Sequence, residues 1–181
     1  MSRKLALVSI ALAAALVAAH PQTQSQESSM PMGQMGEMHK PAPPAGPLEI
    51  EFGDKAATWT PATLASLPHV TVTVHNQHTK ADDTYSGVSL MDLLTPLGVP
   101  AAPHGAGVRL YLVAEGSDGY KAVYSLGEVN PALHDAAVIV ADSENGKPLT
   151  GDGPMKLIAT REKHPARWVR NLVAIRVLTV E

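Results

Sequence analysis

Seven short apolar runs, separated by segments rich in Gly, Pro, Asn and Asp, restrict the fold of this chain more than any other feature. In several of them apolar and polar residues alternate, which is the period of a strand with one buried face. The runs show no internal repeat and no strict alternation with helices. The pattern therefore predicts one α+β domain, with a mixed β-sheet and a few short helices. The runs are LEIEF (48–52), HVTVTVH (69–75), VRLYLVA (108–114), YKAVYS (120–125), AAVIVA (136–141), MKLIAT (155–160) and LVAIRVLTV (172–180).

Three of these runs carry more specific predictions. The runs 108–114 and 120–125 flank the sequence SDG, which is typical of a tight turn, and they are predicted to form a β-hairpin. The run 136–141 is continuously apolar. A strand with no polar face is expected to lie in the middle of the fold, buried on both sides.

Short helices are predicted from their N-terminal residues. Thr60 is a plausible cap, and it precedes a proline, which is favoured in the first helical turn. Ser89 precedes LMDLLTPL, where the leucines have helical spacing. Ser125 and Glu128 have the spacing of a capping box, in which each side chain binds the other residue's backbone N–H.

The first 19 residues have the pattern of a secretory signal peptide. Arg3 and Lys4 precede the uncharged run LALVSIALAAALVAA, which is short for a membrane span, and cleavage is expected after Ala19. The chain has no cysteine for a lipid anchor. We expect a periplasmic or secreted protein with no membrane anchor after cleavage.

Residues 20–47 are rich in Gln, Ser, Pro, Gly and Met, and they are predicted to be a disordered tether before a folded domain at 48–181. Thioether sulfur is a soft donor that suits Cu(I), so the tether is either a copper-binding arm or a plain linker. The first alternative would make the protein a periplasmic copper-handling protein. Its candidate ligands are Met30, Met32, Met35, Met38 and His39.

Charge argues against nucleic acid as a partner. Of the 14 basic residues, Arg3 and Lys4 would leave with the signal peptide, so 12 basic residues face 17 acidic ones and the net charge is −5. The chain also has only one Phe, two Trp and four Tyr, and it has no cysteine for disulfides. Its core must consist of Val, Leu, Ile and Ala.

Basic residues are concentrated between positions 156 and 176, where Glu162 is the one acid. This concentration predicts a local positive field suited to a phosphate, sulfate or carboxylate, centred on the loop REKHPAR (161–167). The alternative is that these are ordinary solvated charges. The basic residues are Lys156, Arg161, Lys163, Arg167, Arg170 and Arg176, and His164 lies among them.

A second candidate metal site lies at the end of the run 69–75. His75 and His78 are followed by Asp82 and Asp83, and imidazole with carboxylate can bind a transition metal. The spacing is not diagnostic, because residues i and i+3 of an extended chain point to opposite faces. The alternative is a polar loop.

Four phrases in order resemble the oxidoreductase molybdopterin-binding domain, the fold of sulfite oxidase and of the periplasmic methionine sulfoxide reductase subunit. They are YSGVSLMDLLTPLGV, AEGSDGYKAVYSLGEV, VIVADSENGKPL and GDGPMKLIATREKHPARWVRNLVAIRV, and the resemblance covers residues 48–181. It implies a pterin cofactor contacted by a segment of ARxVK type. Ala166, Arg167, Val169 and Arg170 match that segment, with Arg in place of Lys.

In the family, a strand like VTVTVH leads to a cysteine whose thiolate binds molybdenum. Here that position falls near His75 and Asn76. Imidazole and carboxamide do not replace a thiolate electronically, so whether the protein is an enzyme stays open. The first hypothesis is a protein that binds a molybdopterin-type cofactor or another anionic ligand through Arg161, Lys163, His164, Arg167 and Arg170. The others are the copper-handling protein and a scaffold that holds a partner.

Overall fold

The computed structural model describes residues 46–77 and 79–181 and shows ten strands and several short helices. The signal peptide, the methionines with His39, and His78 lie outside the described residues. The strands are β1 Leu48–Phe52, β2 Lys55–Trp59, β3 Val70–Asn76, β4 Ala81–Ser89, β5 Leu110–Gly116, β6 Lys121–Ser125, β7 Val138–Glu144, β8 Lys147–Pro148, β9 Lys156–Ala159 and β10 Leu172–Thr179. The α-helices are α1 Pro61–Ala65, α2 Leu90–Leu94 and α3 Leu126–Val129, and 3-10 turns cover Thr95–Leu97, Gly105–Arg109 and Pro165–Arg167.

The strands form two sheets. The first has the order β2-β1-β10-β5-β6, and the second has the order β3-β4-β7-β8 with β9 also paired to β7. Among the strands of the described residues, β1 and β10, the first and the last, pair in parallel, and the other pairs are antiparallel. The predicted α+β class with a mixed sheet and a few short helices is confirmed.

Aliphatic side chains fill two apolar clusters, as the shortage of aromatic residues predicts. The larger one takes the inner faces of β1, β5, β6 and β10 together with the helices, and the smaller one lies on the other face of the second sheet. Strand β7 belongs to both: Val138 and Val140 face the larger cluster, and Ile139 and Ala141 face the smaller one. The prediction of a central strand buried on both faces is confirmed.

The capping predictions are confirmed in two cases of three. Thr60 and Ser125 both form reciprocal capping boxes, at α1 and α3. Helix α2 begins after Ser89 as expected, but the Ser89 side chain makes no capping hydrogen bond.

Three strands were missed, β2, β4 and the two-residue β8, whereas the predicted hairpin of β5 and β6 is present. Strand β2, KAATW, contains alanines and a lysine, which have low strand propensity, and pairing with β1 decides its conformation. Strand β4 begins with Ala81 and two aspartates, yet β3 and β7 hold it on both sides.

Candidate functional site

A cleft of about 1300 Å³ lies beside the second sheet. One wall is the end of β3, residues 72–77, and the facing wall is the loop 160–166 that follows β9. Tyr85, Lys156 and Trp168 also line the cleft. The structure places two of the candidate segments, the VTVTVH run and the REKHPAR loop, on opposite sides of one cavity.

A buried lysine lines the cleft where β9 begins. Lys156 is only 7% exposed, and its Nζ lies 2.5 Å from Oδ2 of Asp152. The same Nζ lies 5.1 Å from the ring centroid of Tyr85 and 5.3 Å from that of Trp168. A buried ammonium requires a partner charge, and aromatic faces add cation–π attraction. The charged group is therefore held in one place by one carboxylate and two rings.

The two rings are fixed by hydrogen bonds of their own. Tyr85 Oη donates to Glu144 Oε1 at 2.5 Å, and Trp168 Nε1 donates to the Ala159 carbonyl oxygen at 2.9 Å. The rings meet edge to face at 5.6 Å between centroids. Burial, followed by the hydrogen bond to Glu144, raises the pKa of Tyr85 well above its usual range, so the phenol stays protonated.

Sequence patterns alone did not single out this group of residues. Lys156 counted only as one of six basic residues, and neither Tyr85 nor Asp152 was selected. The signal that could have found Lys156 is its place inside the apolar run MKLIAT, where Leu157, Ile158 and Ala159 are all buried. A lysine in such a run needs a partner inside the fold.

The loop 160–166 places three of the predicted ligand-binding residues on the cleft. Arg161, Lys163 and His164 line it, their side chains are exposed, and none forms an ion pair with another described residue. Arg170 also lines the cleft, with Nη1 3.7 Å from Oδ1 of Asp152. Their assignment to a ligand stays a prediction.

Arg167 has a different position from the other predicted residues. It does not line the cleft but an adjoining depression of about 490 Å³, which Arg161, Lys163 and His164 also line. There its guanidinium binds Glu162 and Glu128, the latter at 3.0 Å, and stacks on the Tyr124 ring, 4.7 Å from the ring centroid. The hydrogen bond that Arg167 donates to Glu162 is the main cause that raises the pKa of Arg167. Its charge is already neutralised twice, so Arg167 holds the loop to α3 and has little charge left for a ligand.

The net charge of the cleft differs from the sequence estimate. Four cations line it, Lys156, Arg161, Lys163 and Arg170, together with five acids, Asp83, Asp118, Asp135, Asp152 and Glu162. Most of these acids come from parts of the chain far from the basic segment. Arg176 lies on β10 and binds Glu51 and Glu115 on the first sheet. The broad positive field that the sequence count predicted is therefore reduced to the unpaired cations of the loop.

The predicted metal site on β3 has few ligands in the described structure. His75 Nδ1 lies 2.9 Å from Asp82 Oδ1, and both side chains are exposed. Asn76 Nδ2 donates to Asp83 Oδ2 at 2.7 Å, and this bond is the main cause that lowers the pKa of Asp83. Among residues 46–77 and 79–181 no cluster of three or more His, Cys, Asp or Glu could hold a metal ion. The metal predictions for His78 and for the Met-rich segment with His39 fall outside the described residues.

The donor set near β3 does not fit a molybdenum ion held by the protein. The position that the family resemblance gives to a thiolate carries His75 and Asn76, whose side chains already bind Asp82 and Asp83. The whole chain has no cysteine. A thiolate is a soft, charged metal ligand, and neither the imidazole of His75 nor the carboxamide of Asn76 has that character.

Comparison with known proteins supports the fold at a distant level. The sequence matches no known family model and no curated protein. Among solved structures, it is similar to a chain of the sulfane dehydrogenase SoxCD from Paracoccus pantotrophus, with a TM-score of 0.56 and 21% identity. The match covers 72% of this chain and 37% of that one, so this protein corresponds to little more than a third of its neighbour.

At that identity the likeness concerns the fold alone, which is similar to that of the matched part of the sulfane dehydrogenase chain. None of the helices in the described part of the chain has the length and apolar character that a membrane crossing requires.

Proposed function

We propose that this protein is exported to the periplasm or secreted and binds an anionic ligand in the cleft beneath the loop 160–166, with a molybdopterin-type cofactor as one candidate. The observation that carries the proposal is the unpaired state of Arg161, Lys163 and His164 on one wall of that cleft. Charged groups that converge on a cavity without internal partners are suited to bind opposite charge.

The loop is held in place before any ligand arrives. Tyr120 Oη donates to the Ala166 carbonyl oxygen, and Tyr124 Oη donates to that of Arg167. Burial raises the pKa of Tyr124, so its hydroxyl remains a donor. A ligand that binds a fixed loop loses less entropy than one that must order it. The cations that face the cleft are thus carried by a prepared scaffold.

The proposal assigns binding and no catalysis. An organic anion, such as the phosphate of a pterin, fits Arg161, Lys163 and His164 by charge and hydrogen-bonding capacity. A metal held by a protein thiolate does not fit, because no such donor exists in the chain. The fold similarity supports a pterin-type ligand over other anions, and the five acids of the cleft favour a ligand that also carries hydrogen-bond donors.

Two measurements test this proposal. Protein purified from its own host should be analysed for molybdenum and for fluorescent pterin. Binding of inorganic phosphate and of a pterin phosphate should then be measured by calorimetry for the wild type and for the double variant Arg161→Gln, Lys163→Gln. We expect the double variant to bind at least about tenfold more weakly, since each charge-assisted hydrogen bond contributes on the order of 1 kcal/mol at an exposed site.

The matched control is Arg176→Gln, which removes an exposed arginine from the first sheet, outside the cleft. It should leave binding within about twofold of wild type. Equal losses in both variants would mean that the protein responds only to overall charge, and unchanged binding in the double variant would remove the loop from the site. The absence of both molybdenum and pterin in the native protein would remove the cofactor candidate and leave the anion site.

A further inference from the structure

Strand β3 forms an edge of the second sheet, and within residues 46–77 and 79–181 it has none of the usual features that protect an edge. It spans seven residues, VTVTVHN, with no lysine, acid or proline, and it pairs with β4 from Val70 to Asn76 without a register shift. Exposed edges offer unpaired N–H and C=O groups to any other strand, and natural proteins usually block them. A long, regular, uncharged edge is therefore a candidate binding surface.

The hydrogen bonds of β4 show which backbone groups of β3 are free. Thr84 uses both its N–H and its C=O toward Asn145, on the β7 side. Successive residues of an antiparallel strand direct their backbone N–H and C=O groups to opposite sides. The backbone groups of Asp83 and Tyr85 therefore point toward β3, where Asp83 pairs with Val74 and Tyr85 pairs with Val72.

The residues that alternate with Val72 and Val74 along β3 direct their backbone groups away from β4. The N–H and C=O groups of Thr71, Thr73 and His75 face away from the sheet, and they have no hydrogen-bond partner among the described residues. The side chains of all three are exposed. Three consecutive pairs of backbone donors and acceptors are thus available at the spacing that an added strand requires.

The other sheet edges in the described part of the chain are protected. Strand β2 carries Lys55, and β8 has only two residues. On β6 the Arg167 guanidinium binds the Val123 carbonyl oxygen at 3.3 Å. Beyond β9, Val169 exchanges both backbone hydrogen bonds with Leu157. The contrast singles out β3.

Charge indicates what would pair with this edge. Thr73 and His75 of the β3 edge and the loop residues Arg161, Lys163 and His164 line the same cleft, so a strand laid along β3 would have side chains that face the loop cations Arg161 and Lys163. We propose that β3 binds an extended acidic peptide of a partner protein as an additional strand. The proposal rests on the proposed function in one respect, which is that the loop cations are the groups that bind the anion.

Two other occupants fit less well. A second copy of β3 brings no acidic residue for the loop cations, since residues 70–76 contain none. The chain's own segment 20–47 contains only two acids, Glu27 and Glu37, and its prolines and glycines disfavour a strand. An acidic strand from another protein meets both the backbone and the charge requirement.

The test uses the full chain and two acetylated seven-residue peptides, TETETET and its basic control TKTKTKT. Amide hydrogen exchange followed by NMR should show the N–H groups of Thr71, Thr73 and His75 unprotected in the free protein and at least about tenfold slower with TETETET. The amides of Val72 and Val74 should be protected in both states. TKTKTKT should bind at least about tenfold more weakly. N-methylation at every second residue of TETETET should abolish binding in one register and leave it nearly unchanged in the other, because only alternate N–H groups face β3.

The following results overturn the peptide proposal, and phosphate binding separates its failure from that of the small-anion proposal. Binding without protection at the three outward amides would place the peptide elsewhere, and equal loss from both N-methylated sets would exclude strand pairing. Protection that appears with protein concentration would identify a second copy as the occupant, and protection already present in the dilute free chain would identify the chain's own segment. If neither peptide binds but inorganic phosphate does, and Arg161→Gln with Lys163→Gln weakens it, only the peptide proposal fails. If TETETET binds with the expected protection but phosphate does not bind, the small-anion proposal fails instead.

Discussion

Replacement of Asp152 by asparagine should destabilise the protein more than replacement of its partner Lys156 by methionine. Asparagine keeps the shape of the side chain but removes the charge, and so it leaves an ammonium that is 8% exposed without an anion. Methionine removes the buried charge and leaves Asp152, which is 25% exposed and also lies 3.7 Å from Arg170. The costs of the two changes differ because the two partners differ in access to water.

The magnitudes follow from that difference in exposure. Loss of one member of a fully buried ion pair costs about 3–5 kcal/mol. The rings of Tyr85 and Trp168 retain about 1 kcal/mol of cation–π attraction for the ammonium. We therefore expect Asp152→Asn to lower the free energy of unfolding by about 2–3 kcal/mol and Lys156→Met by about 1 kcal/mol. The double variant should be no less stable than Lys156→Met alone, because no unpaired buried charge remains.

Urea unfolding at pH 7, followed by fluorescence of the two tryptophans, measures these values, provided that the m-value is unchanged among the variants. Arg170→Gln is the control, because the side chain of Arg170 is 62% exposed and should contribute less than about 0.5 kcal/mol. A smaller cost for Asp152→Asn than for Lys156→Met would refute the reasoning. It would mean that the Lys156 ammonium reaches water or another anion in solution.

Three further predictions concern the sheet, pH and the Met-rich segment. A Cβ at Gly87 would lie 2.2 Å from a backbone oxygen of β7, so Gly87→Ala should prevent folding or lower the free energy of unfolding, measured by calorimetry, by more than about 3 kcal/mol. Gly119 has φ +83 and open space around it, so Gly119→Ala should lower the same quantity by only about 1 kcal/mol. The hydrogen bond to Asp142 raises the pKa of His69. The stability that this bond adds is therefore complete below the unfolded-state pKa near 6.5 and is lost as the pH rises through the higher folded-state pKa. In urea titrations, His69→Gln should lower the free energy of unfolding by up to about 1 kcal/mol at pH 5.5 and by little at pH 9. If the methionines bind Cu(I), competition titration should show a site in the mature chain that is absent from a version truncated before Pro41, and equal affinities would exclude copper binding by this segment.

Much of the fold could be predicted because its signals are local. The alternation in the run 172–180, the continuous apolar run at 136–141 and the capping box at Ser125 each depend on neighbouring residues, and each is present in the structure. Strand β4 could not be predicted in this way. Its aspartates disfavour a strand locally, and they are held by pairing with β3, while β7 pairs with the strand only from Tyr85 onward.

Local sequence patterns predict the α+β class, the aliphatic core and the positions of the candidate loop and of β3, because hydrophobic period and turn chemistry act over a few residues. The chemistry of the cleft depends instead on which distant residues the fold brings together. The fold brought acids from distant segments to the basic loop, bound Arg167 to Glu128, and buried Lys156 between two rings and Asp152. Electrostatic pairing depends on distance in space and on exclusion of water, and neither can be obtained from separation along the chain.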